Sequence, residues 1–251
     1  MPNNVAVNII DLCKEYDNGN RKNKKVFNNF TVAFEKGKVH CILGASGCGK
    51  STLLRIIAGL ENYKAGEVLF NCDSNNINMI FQDNNLLPWM TVFKNIQFCY
   101  YSYLKSKKIK INKKECYNDI IDLLNKYGLT NYKDYYSYEL SGGLKQKVAL
   151  VKALITSPNI VLLDEAFSAL DFESRKEMYS LFINAFAKNK FTCILSTHNI
   201  QETVELGDYI HLLHDNNYTK IENPLKVPRV KNQEFDNFVE LIMKNYEKGE
   251  N

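Results

Sequence analysis

Nine residues, Gly44-Ala45-Ser46-Gly47-Cys48-Gly49-Lys50-Ser51-Thr52, constrain this chain more than anything else in it. They fit the pattern G-x-x-x-x-G-K-[S/T]. They also sit between a short β-rich run, Val39-His40-Cys41-Ile42-Leu43, and a helix-periodic stretch from Lys50 to Leu60 with Gly59 placed to end it. Glycines at such a junction let backbone N–H groups turn inward around an anion that side chains would block. The following helix aims its N-terminal dipole at the same anion. Lys50 supplies a point charge for terminal phosphates, and the Ser51 hydroxyl is a ligand for Mg²⁺. The unit predicts an α/β fold and a site for a nucleoside triphosphate.

The rest of the sequence fits that start. At 251 residues, 45% hydrophobic and 24% charged, the chain can bury a core and is too apolar for disorder. A net charge of +4 gives no ground for a nucleic-acid partner. No apolar run approaches the roughly 18 residues of a membrane span. The opening MPNNVAVNIIDLCKEY lacks a basic start and a cleavage site, so no signal peptide is expected. Seven scattered cysteines without a CxxC pair argue against disulfides or zinc and for a reducing, cytoplasmic setting.

Asn159–Leu163 and Phe191–Leu195 read as further buried strands, the second after a helix from about Glu173 to Ala187. Between Thr91 and about Leu140 the chain is Lys/Tyr-rich and helical in period, which reads as a helical subdomain or as a long peripheral connection. The expected layout is one domain: residues 1–90 and 155–225 as α/β core with a mixed or parallel sheet, 91–154 as an inserted α-helical subdomain, and 226–251 as a terminal amphipathic helix.

Two more segments carry chemistry. Ile160-Val161-Leu162-Leu163-Asp164-Glu165 is an apolar strand ending in two acids, either a helix cap or, beside a phosphate loop, a metal-holding Asp164 and a water-polarising Glu165. Leu140-Ser141-Gly142-Gly143 precedes an evident helix, Leu144–Leu154. It is a second anion-ready N-terminus or a plain Ser cap.

The order of these motifs resembles the ATP-binding subunit of an ABC transporter: phosphate loop, LSGGLKQK, IVLLDE, then the lone His198 in LSTHN. The resemblance spans nearly the whole chain. The spacing from Lys50 to Ser141 leaves no room for the long coiled-coil insertion of the DNA-repair and chromosome-structure relatives. It implies a P-loop NTPase core and a homodimer closed through ATP, in which Ser141 and Gly143, with Gln146 nearby, meet the γ-phosphate held by the other subunit. It further implies that Tyr16 stacks on adenine, that Gln82 reaches Mg²⁺ and the attacking water, and that His198 works with Glu165 and Lys50 at the γ-phosphate. Ser168–Asp171 matches the loop that communicates between the two sites. Three positions depart from the pattern: Lys147 for Arg, Ala166 for Pro and Asn199 for Asp. None removes a phosphate-handling group.

The wording FQDNNLLPWMTVFKNI, DEAFSALD and the tail VPRVKNQEF resemble the nitrate/sulfonate/taurine importer group. With few residues after His198, no large C-terminal regulatory domain is expected. The resemblance implies an ATPase peripheral to the cytoplasmic face of the cell membrane. It would drive integral-membrane permease subunits touched near Leu86–Trp89, and serve indirectly an extracytoplasmic solute-binding protein. The transported solute is left open, as are the rival readings of an exporter ATPase and of an ATP-gated regulatory module.

Overall fold

The chain begins with two long strands, β1 (Val5–Tyr16) and β2 (Lys24–Glu35), paired antiparallel. The computed structural model describes residues 3–17, 24–72, 76–214 and 217–250. The remaining elements are β3 (Val39–Leu43), α1 (Lys50–Ile57), β4 (Ala65–Phe70), β5 (Ile77–Ile80), α2 (Val92–Ser106), α3 (Lys113–Lys126), α4 (Gly142–Leu154), β6 (Ile160–Asp164), α5 (Phe172–Asn189), β7 (Thr192–Thr197), α6 (Ile200–Leu206), β8 (Tyr209–His214), β9 (Asn217–Glu222) and α7 (Gln233–Glu250). They form two compact units, one of Met1–Ile77, Asn159–Glu165 and Lys190–Asn251, the other of Asn78–Pro158 and Ala166–Asn189. The fold is α/β, with mixed sheets.

The first unit holds a three-stranded antiparallel sheet in the order β2–β1–β4. A second sheet runs β5–β6–β7–β3–β8–β9, and β5 is where the chain leaves this unit. Strands β6, β7, β3 and β8 are mutually parallel and β9 turns back on β8. Every residue of β3, β6 and β7 is buried, as expected of parallel strands covered on both faces, and their apolar runs made them legible. The antiparallel sheet has no such run. Asn29 and Asp11 adopt positive φ (55° and 48°), and the register of β1 on β2 shifts repeatedly. These bulges break the two-residue alternation that would have announced the strands.

The terminal helix belongs to this unit. Phe235, Phe238 and Ile242 on α7 pack with Leu43, Val204, Ile210 and Leu212, which continues the core beneath β3 and β8.

The second unit is helical. Side-chain caps start α2, α3 and α4: Thr91 Oγ1 accepts from Lys94 N, Asn112 Oδ1 from Lys114 N, and Ser141 Oγ from Leu144 N. The sequence places 155–225 wholly with the α/β core, but the structure groups Ala166–Asn189 with the helices. Phe167 meets Tyr179 and Phe182 edge-on at 5.3 and 6.2 Å, and Lys147 of α4 pairs with Glu177 of α5. Among the described residues no helix is long and apolar enough to cross a membrane.

Candidate functional site

Strand β3 delivers the chain into the phosphate loop, and α1 leaves it at Lys50. The loop needs its glycines. Gly49 caps α1 at φ 109°, where a Cβ would stand 2.7 Å from Val26 Cγ1 and 2.9 Å from Phe27 Cζ. A Cβ on Gly44 would meet Cys48 Sγ and the Leu213 carbonyl, each at 2.7 Å. Gly47 has φ 80°, another conformation that favours glycine. Ala45, Ser46 and Gly47 form the exposed crest and Cys48 is half-buried.

Lys50 is buried, and its Nζ donates to the carbonyls of Gly44 (2.8 Å) and Ala45 (2.9 Å). The ammonium is therefore held inside the loop that its own sequence forms. Next to it, Ser51 Oγ donates to Asp164 Oδ1 at 2.7 Å, across 113 positions of sequence. Ser51 and Asp164 offer oxygen donors only. That chemistry suits a hard cation such as Mg²⁺, so the residues present fit the metal that the loop implies.

Glu165 follows Asp164 with φ 47°, sparsely populated for a residue with a side chain. Its Oε2 lies 3.4 Å from His198 Nδ1. His198 is held at the start of α6 by a capped turn. Asn199 Oδ1 accepts from Glu202 N, Asn199 N donates to Thr197 Oγ1, and Thr197 Oγ1 donates to the buried carboxylate of Glu202. Asn199 departs from the usual Asp of the motif, yet it caps the helix, for which Asn and Asp serve about equally.

A cavity of about 240 Å³ opens in front of this group, walled among others by Tyr16, Lys24, Ser46, Gly47, Lys50 and Glu165. Tyr16 OH lies 3.3 Å from Thr52 Oγ1, which ties the ring to α1. Lys14 Nζ stands over the Tyr16 ring, 4.5 Å from its centre, and is held by Glu61 Oε1 and the Asn62 carbonyl at 2.6 and 2.7 Å. The first unit thus gathers Tyr16, residues 44–52, Asp164, Glu165 and His198. Sequence reasoning missed Lys24 and Lys14. Lys24 is the cross-strand partner of Tyr16, a relation that only the register reveals.

The remaining candidates belong to the second unit. Gln82 is exposed in the turn after β5. Ser141 and Gly142 are exposed at the start of α4, Gly143 is half-buried, and Gln146 is buried inside the unit, less accessible than the resemblance implies. A Cβ on Gly142 would meet nothing within 4 Å. Asp171 caps α5 through Ser174, accepting from its N (3.0 Å) and Oγ (2.7 Å). These bonds hold the Asp171 carboxyl below its ordinary range. Asn95 was also missed. It is buried, and its amide bonds Leu87 N and the carbonyls of Leu87, Met90 and Thr91, fixing the turn that carries Trp89.

Comparison with known proteins gives the same direction. A model of the ABC transporter family matches residues 27–168. The aliphatic sulfonates import ATP-binding protein SsuB of Bacillus cereus is 36% identical, over 90% of each chain. The nitrate import ATP-binding protein NrtD of Synechocystis is 34% identical, over 78% of this chain and 73% of its own. A dimeric ATP-binding cassette solved in a post-hydrolysis state with ADP and phosphate superposes with a TM-score of 0.76 at 25% identity, covering 86% of this chain and 98% of that one.

Proposed function

The chain belongs to the ABC transporter family, and from that premise we propose that it binds and hydrolyses ATP to energise an importer of a small solute. The observation that carries the reading is the cavity of the first unit lined by Lys50, Ser51 and Glu165, with Asp164 bonded to Ser51 behind it and His198 3.4 Å from Glu165. Sulfonate and nitrate importers among the relatives favour a small oxyanion or a similarly sized polar solute.

In this reading the loop amides of 44–52 and Lys50 hold the β- and γ-phosphates, and Tyr16 offers its ring to the base. Ser51 and Asp164 would hold Mg²⁺, with Gln82 assigned to the same ion by the resemblance, and the bound ion would supply positive charge that offsets that of the phosphates. Glu165 accepts the proton of the attacking water. His198, 3.4 Å from that carboxylate, orients it and donates toward the γ-phosphate. Ser141 and Gly143 of a second copy complete the phosphate shell, so the dimer closes on ATP and opens on ADP. The partner surface for a permease is the turn around Trp89, which is 69% exposed and braced from behind by Asn95. The subunit then works as a peripheral protein on the cytoplasmic face of the membrane, and a solute-binding protein outside the cell selects the cargo.

The test compares wild type with Glu165→Gln by size-exclusion mass and phosphate release, with and without Mg-ATP. The expected result is a variant that dimerises only with ATP, with turnover reduced at least about a hundredfold, beside a wild type that hydrolyses. A wild type that neither dimerises nor hydrolyses, even with its membrane partner, sinks the motor and leaves a nucleotide-binding module.

A further inference from the structure

Strand β7 is buried throughout and is apolar at Cys193, Ile194 and Leu195, yet its next residue is Ser196, with no exposed surface at all. A buried hydroxyl is costly unless it is hydrogen-bonded, and here it both donates and accepts. Ser196 Oγ donates to Asp164 Oδ1 at 2.7 Å, and that same oxygen receives the Ser51 hydroxyl at 2.7 Å. Ser196 Oγ also accepts the Glu165 N–H at 3.1 Å, which the Ser196 carbonyl shares at 3.1 Å. The register explains the arrangement: Asp164 and Ser196 are direct partners across the parallel pair β6 and β7.

We propose that Ser196 is a positioning residue that sets both acids at once, fixing the Asp164 carboxylate toward Ser51 and holding Glu165 in its positive-φ conformation. The inference rests on the nucleotide reading above and adds a residue to it. One side chain spans the two functions. Its donor proton determines where the metal-holding oxygen points, and its lone pair determines where the backbone of the water-polarising residue begins. Without it Asp164 Oδ1 keeps one hydroxyl partner, its rotamer loosens, and the Glu165 peptide keeps only the carbonyl of residue 196.

Wild type, Ser196→Ala, Ser196→Cys and Ser196→Thr of the full chain are titrated with a fluorescent methylanthraniloyl-ATP, first in EDTA and then against rising Mg²⁺. Phosphate release is followed at saturating Mg-ATP. The Ala and Cys variants are expected to match wild type in EDTA within about twofold. They should need several-fold more Mg²⁺ for half of the metal-dependent gain in binding, and lose about tenfold in kcat with KM little changed, the scale of one hydrogen bond to a charged group. Thr keeps the hydroxyl and should return both values. Should Ala fail to fold, Cys fills the same space with a weak donor and decides alone. A wild-type Mg²⁺ midpoint in the folded Ala or Cys variant, or equal losses in Ala and Thr, overturns the proposal. A wild type that binds no nucleotide overturns the reading beneath it instead.

Discussion

The turn before α1 and the turn before α4 both put glycines at a helix N-terminus, and both suit an anion by the same dipole. They differ in completeness. The first turn is walled in: Val26 and Phe27 stand where a Gly49 side chain would go, a buried lysine sits inside the loop, and no side chain caps the helix. The second turn is open: Gly142 has space around it and Ser141 caps the helix itself. In the proposed reading the first turn binds the nucleotide of its own chain, and the second is a surface that meets a phosphate held by another copy. A similar cassette solved as a dimer fits that division of labour.

Acid should separate the two units, with the largest effect expected. All four histidines lie in the first unit. His40 is pushed down to about 4 by burial. The carbonyl and carboxylate of Glu35 and the carboxylate of Asp208 pull the other way, and Lys220 adds to the lowering. His211, 3.1 Å from His40, is also held well below its ordinary value, by burial, by its neighbour and by Lys220. Phe34 of β2 and Tyr209 and Tyr218 of the β8–β9 pair close the pocket. A lowered pKa keeps the native ring neutral while the unfolded chain takes up the proton below about 6.5. Stability is therefore whole above about pH 6.5 and falls as pH drops toward 4, by about 3 kcal/mol for His40 alone. Hydrogen exchange at pH 7.5 and 4.5 should show protection lost in β3 and β8 before α2 and α4, and replacement of both histidines should flatten the trend. Uniform loss across both units breaks the contrast.

The two sheets of the first unit were also unequally legible. Asp164 and Glu165 stand at the end of β6, and Lys50 and Ser51 follow the loop that leaves β3; the buried, largely apolar runs of both strands mark a parallel sheet. The antiparallel sheet stayed hidden because its bulges at Asp11 and Asn29 scramble the alternation of Phe27, Phe30, Val32 and Phe34. Ser196, Lys24 and Asn95 were invisible for a different reason. Each acts through a partner set by strand register or loop closure, and an isolated Ser, Lys or Asn carries no spacing to betray it.

A smaller effect comes from adding one methyl group to each turn. At Gly49 an alanine must adopt φ 109° and drive its Cβ into Val26 and Phe27, so Gly49→Ala should cost about 2 kcal/mol or more in thermal or urea melts. At Gly142 the backbone is helical and the space is free, so Gly142→Ala should be neutral or up to about 1 kcal/mol stabilising. If the turns serve as argued, the second variant still loses ATP-dependent dimerisation while its melting point holds or rises. Equal costs at both glycines would mean that the α4 turn is as closed as the phosphate loop.

The smallest effect is the most selective. Ser141 Oγ caps α4 through Leu144 N, and Ser141→Ala should cost the second unit about 1 kcal/mol. That loss alone says nothing about phosphate, because the cap and the phosphate contact use the same hydroxyl. Ser141→Asp separates them. Aspartate caps a helix as well as serine does, so stability should return to wild type or above. Its carboxylate would face a triphosphate, and like charges at contact distance repel. In a Glu165→Gln background, Ser141→Asp should therefore melt normally, bind nucleotide as a monomer with unchanged affinity, and fail to dimerise with ATP. A Ser141→Asp chain that still pairs on ATP would show the turn to be a helix cap and nothing more. The phosphate loop would then be the chain's one nucleotide surface, and the dimer would have to be held together elsewhere.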